Sequence, residues 1–132
     1  MIKIVLEANI VSKKNVYAQT KTGRRFKPQS VRDTEELALG QIPAEYYGLN
    51  LRHPAIEFFA EVPKKSFALD VDGVFTTCLD YLVKFQVLKD DRIRDCNGPK
   101  LIHPVKEADR KRFTILLHED GKLPSTSIGS LQ

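Results

Sequence analysis

Apolar and polar positions alternate over residues 2–10, the period of a strand with one buried face. Residues 12–32 are polar, hold Gly23 and Pro28, and read as a long loop or mobile hairpin. Residues 31–39 have helical spacing, with Asp33, Glu35 and Glu36 near the start, where a helix dipole favours acids, and Gly40 as the stop. Ile56, Phe58, Ala60 and Val62 alternate with Glu57, Phe59 and Glu61, which predicts a half-buried strand closed by Pro63. From residue 72 to about 85, Val74, Cys78, Tyr81, Leu82 and Phe85 recur at helical spacings and define a buried face. Asp72, Thr76, Asp80 and Lys84 fall every four residues on another face of the same helix. Residues 92–96 and 100–105 read as strands around the turn Asn97-Gly98-Pro99, and Phe113, Ile115 and Leu117 mark a last strand beyond a charged turn at 106–111. No internal repeat interrupts this order, which predicts an α/β or α+β layer with helices packed on a small mixed sheet.

A chain of 132 residues, 42% hydrophobic, holds one core and leaves little room for a second, so a single domain over 1–132 is expected, with a basic loop at about 12–32 and a loose tail at about 121–132. Cys78 and Cys96 lack CxxC spacing and His53, His103 and His118 are scattered, which argues against zinc and disulfide scaffolds and for buried free thiols. The first apolar run is too short for a signal peptide and no later stretch approaches a membrane span, so the cytoplasm is the expected location.

The net charge of +4 is unevenly spread. Residues 1–32 carry eight basic side chains (Lys3, Lys13, Lys14, Lys21, Arg24, Arg25, Lys27 and Arg32) against Glu7 alone, leaving thirteen basic and sixteen acidic side chains for the rest. Such a segment can grip phosphates by releasing condensed counterions, and Tyr17 and Phe26 lie in it as stacking groups. A merely solvated basic loop is the other reading of the same charges.

The chemistry concentrates where Asp70-Val71-Asp72 is followed, after one helix, by Asp90-Asp91. Carboxylates gathered together repel and raise one another's pKa unless a cation neutralises them, and Mg²⁺ is the hard, oxygen-seeking ion suited to that need. A metal so held supports attack on a phosphodiester and stabilises the entering and leaving oxygens. The same spacing also allows a plainer account, in which Asp72 is a helix N-cap and Asp90-Asp91 are turn residues. Asp80 with Lys84 reads as an i,i+4 surface pair.

The runs Asp70-Val71-Asp72, Asp80-Tyr81-Leu82 and Leu88-Lys89-Asp90-Asp91-Arg92-Ile93 resemble, without a gap, the RusA-type pattern of D-x-D-N, a helix with D-x-L, and a D-D pair at its far end. Lys64 and Lys65 resemble that family's basic lead-in, and the match covers about residues 64–93. The resemblance implies a Mg²⁺-dependent endonuclease that resolves four-way (Holliday) DNA junctions in recombination and repair, built as an α/β homodimer. Asp70, Asp72 and Asp91 would bind metal, with Asp90 beside them. Lys13, Lys14, Arg24, Arg25, Lys27, Lys64, Lys65 and Lys84 are the candidate DNA contacts.

Two positions depart from that pattern: Gly73 stands where the family has Asn, and Thr76 where it has a catalytic Lys. The loss of an ammonium one turn into the helix implies slower catalysis, or transfer of its role to Lys65, Lys84 or a loop residue. Junction binding without cleavage is therefore an alternative on the same fold. A second alternative comes from residues 67–76, which also look like the first motif of haloacid-dehalogenase-type phosphatases, with Asp70 as nucleophile and Asp72 as general acid/base. That family needs further βα units, for which the 60 residues after Asp72 leave too little chain.

Overall fold

The computed structural model describes residues 1–12, 18–19, 25–26, 29–89 and 98–124, with backbone alone at 18–19 and 25–26. In chain order the elements are β1 (Ile2–Leu6), β2 (Ala18–Gln19), β3 (Arg25–Phe26), α1 (Gln29–Gly40), β4 (Ala55–Val62), α2 (Val71–Lys84), β5 (Lys100–Ile102), β6 (Lys106–Glu107) and β7 (Arg112–His118). Single 3₁₀ turns at Ala44–Tyr46 and Lys64–Ser66 flank β4.

Two helices pack on a mixed five-stranded sheet ordered β1-β7-β4-β5, with β6 also on β4. β7 runs antiparallel to both β1 and β4, whereas β5 and β6 run parallel to β4. Register puts the apolar positions of three strands on one face: Ile4 opposite Ile115 opposite Phe58, and Leu6 opposite Phe113 opposite Ala60. All six are buried. The face is covered by α2, whose Phe75 ring sits 5.0 Å from that of Phe58. The buried side of α2 adds Phe75, Thr77 and Leu79 to the expected Val74, Cys78, Tyr81 and Leu82, so it is wider than the spacing predicts. Burial pushes the Cys78 thiol far up and the Tyr81 phenol to about 12, so neither ionises near neutral pH and both serve as core groups.

Several boundaries differ from those read along the chain. β1 stops at Leu6, although Ala8 and Ile10 continue the buried alternation. The Gln41 carboxamide takes the ladder's place there, accepting from Glu7 N–H and donating to Glu7 C=O. α1 begins at Gln29, so its first turn holds no acid, and Asp33 instead accepts from Gln29 Nε2 at 2.8 Å. The strand expected over 100–105 ends at Ile102, before Pro104, which has no N–H to give a ladder. Pairing with β4 resumes at Lys106–Glu107, inside what the sequence presents as a charged turn. The basic stretch contains a short antiparallel ladder, Ala18 opposite Phe26. The strand predicted at 92–96, Cys96 and the last eight residues of the tail lie outside the described residues.

Candidate active site

β4 delivers the chain to Pro63 and the turn Lys64–Ser66, after which Asp70 opens α2. Asp70 is the N-cap: its Oδ1 accepts from Gly73 N–H at 3.2 Å. The capping role the sequence offers to Asp72 thus belongs to Asp70, and Asp72 is the second residue of the helix, with an exposed side chain. The first-turn N–H groups favour negative charge at both positions. Its other oxygen is held as well, since Ser12 Oγ donates to Oδ2 at 3.0 Å.

Two exposed carboxylates stand two residues apart at one helix head, and each is a source of oxygen donors. Each Asp70 oxygen accepts a hydrogen bond, and the Asp72 side chain two residues on is exposed. Mg²⁺ keeps several waters and commonly takes only one or two carboxylates, so this pair fits it. Among the described residues no three His, Cys, Asp or Glu side chains gather to hold a metal. Asp90 and Asp91, which would complete the set, lie outside the described residues, as do Lys13, Lys14, Arg24 and Lys27. Arg25 belongs to β3.

The chain does turn back after α2 as expected. Gln86 adopts φ 58°, Gln86 N–H donates to Val83 O, and Val87 N–H reaches Leu82 O at 3.0 Å. This is a Schellman ending with glutamine in the left-handed position. The returning residues pair with residues 48–51, Leu51 bridging Leu88, and the described chain reaches Lys89.

Thr76 turns its hydroxyl back onto Asp72 O at 3.0 Å and brings no charge to the helix head. Lys84 cannot stand in for a lysine there, because it sits twelve residues along from Asp72, about 18 Å at 1.5 Å per residue. It pairs with Glu35 of α1 instead. Lys64 and Lys65 are exposed on the turn leading to Asp70. Phe67 and Ala68, which the phosphatase pattern would set at the end of a strand, form a turn, and Asp70 is a helix cap rather than a strand terminus.

The structure also assembles a group that the sequence scatters. Glu57 of β4 is 4% exposed, and its two oxygens lie 2.8 Å from His103 Nε2 and from His118 Nε2. The His103 ring stacks on Phe59 with centroids 4.1 Å apart. Both rings present Nε2–H to the carboxylate, which ties β4, β7 and the segment after β5 into one buried network. Separations of 46 and 61 residues hide it, and the one available signal is an acid in the middle of an apolar strand.

In comparisons with known proteins, no family model matches the chain and no curated protein matches it.

Proposed function

We propose that this protein is a Mg²⁺-dependent DNA endonuclease of the RusA type, acting on four-way junctions. The observation that carries the reading is the Asp70–Asp72 pair, exposed at the head of a helix whose first-turn N–H groups favour negative charge at both positions. Asp70 and Asp72 would hold the ion, joined by Asp91. When bound, Mg²⁺ supplies charge stabilisation to the phosphodiester oxygens. Asp70, with both oxygens hydrogen-bonded, holds one fixed orientation, while Asp72 is open to solvent. Lys64 and Lys65 draw the DNA backbone toward the same helix head, and the basic segment begins at Lys13, next to the Ser12 that touches Asp70.

The partner implied by the resemblance is a second copy of the chain. One observation favours binding without cleavage: Thr76 is short, neutral and bonded to its own helix, so no cation from position 76 meets developing phosphate charge.

The deciding experiment incubates a labelled four-way junction and a matched linear duplex with the protein, in Mg²⁺ and in chelator. Junction cleavage in Mg²⁺ alone is the expected result. Asp72→Asn should abolish it while junction binding stays equal or tightens, since the change removes a ligand and a negative charge near phosphate. Binding without cleavage by the unsubstituted protein selects the second reading, and cleavage by Asp72→Asn removes these carboxylates from the chemistry.

A further inference from the structure

The segment leaving β1 ends against the head of α2. Ser12 is 4% exposed, and its hydroxyl donates to Asp70 across 58 residues of chain. One residue earlier, Val11 O lies 3.1 Å from Thr77 Oγ1, a hydroxyl also 3.0 Å from Gly73 O. Gly73 is what allows this approach. A Cβ there would stand 2.0 Å from Ser12 Oγ, 2.7 Å from Ser12 Cβ and 2.6 Å from Asp70 Oδ2. Gly73 lies inside the helix, where glycine costs about 1 kcal/mol relative to alanine, so close packing of Ser12 is the reason for it.

A capping aspartate needs one acceptor oxygen, and Gly73 N–H satisfies that need through Oδ1. The second donor, on Oδ2, exceeds what a cap requires and fixes the rotation of the carboxylate. We infer that Ser12 is a positioning residue for Asp70, which orients the carboxylate for a divalent cation, and that Gly73 is the space that admits it. The inference rests on Asp70 being a metal ligand. Donors of this kind, one shell removed from a metal, set ligand orientation, and their loss typically costs 10–100-fold in affinity, so Ser12→Ala should weaken binding by about tenfold or more.

The test uses the full chain without DNA and Mn²⁺ as probe, with free Mn²⁺ followed by electron paramagnetic resonance. Asp70→Asn should lose the site. Ser12→Ala should weaken Mn²⁺ binding about tenfold while its thermal midpoint stays close to that of the unsubstituted protein. Ser12→Thr keeps a hydroxyl on the same β carbon and should recover most of the lost affinity. Unchanged Mn²⁺ affinity in Ser12→Ala, with the site lost in Asp70→Asn, overturns the inference and leaves the metal site standing. Affinity that falls only in step with the thermal midpoint, and is not restored by Ser12→Thr, overturns it in favour of a purely structural contact. Equal Mn²⁺ binding by the unsubstituted protein and Asp70→Asn defeats the metal-site reading itself, and the role of Ser12 with it.

Discussion

Glu57 shows how much one side chain can settle in a sheet. A carboxylate in the middle of a strand is costly to bury unless every oxygen is met, and here two imidazoles meet it. Glu57→Ala should cost about 3 kcal/mol, because it removes the acceptor of two ring N–H groups, one buried and one largely so, and urea denaturation measures the loss. Glu57→Gln should fall between, since an amide accepts from one ring and presents a donor to the other. A loss under about 0.5 kcal/mol for the alanine variant would show that water replaces the carboxylate freely. At this scale the sequence discloses residue type without company. The alternation around Glu57 predicts an outward acid, and only the distant histidines turn it into a buried one. For Asp70 the same limit works in reverse, because its position ahead of a helix was legible but its second partner, Ser12, was not.

Helix α2 and strands β4 and β7 were legible because their periods, near four and two, repeat over enough residues to outweigh local exceptions. Ends were less legible, since they depend on single hydrogen bonds. Gln41 halts β1 from across the fold, and α2 closes on Gln86 where the sequence holds no glycine. A non-glycine residue in the left-handed region carries roughly 1 kcal/mol of strain, so Gln86→Gly should stabilise the protein by about 0.5–1 kcal/mol, read as a higher urea midpoint with unchanged slope. A lower midpoint would mean that the glutamine side chain contributes more than the backbone strain it causes. The same reversal keeps Val87 and Leu88 in the core, so the helix end and the pairing of the returning chain as far as Lys89 are one device.

For the whole molecule, the uneven charge governs how DNA would be met. Neutralising Lys13, Lys14, Arg24 and Arg25 together should weaken junction binding at low salt and flatten the plot of log K against log[salt], by about 0.9 for each phosphate that is no longer neutralised. An unchanged slope would identify the segment as a solvated surface. The layer of helices on a mixed sheet was legible from element order, but the order of the strands was not, because the pairings that set it join residues 44 to 115 positions apart. Ile2 lies opposite Leu117, and β7 is inserted between β1 and β4. This gives the domain a high contact order, and the loop that closes β1 onto β7 must be ordered before its contacts return any stability. On the ribosome, a nascent chain that has not emerged past residue 118 therefore exposes the edges of β1 and β4 that β7 covers in the finished fold. Until then both edges stand open to pairing with other chains.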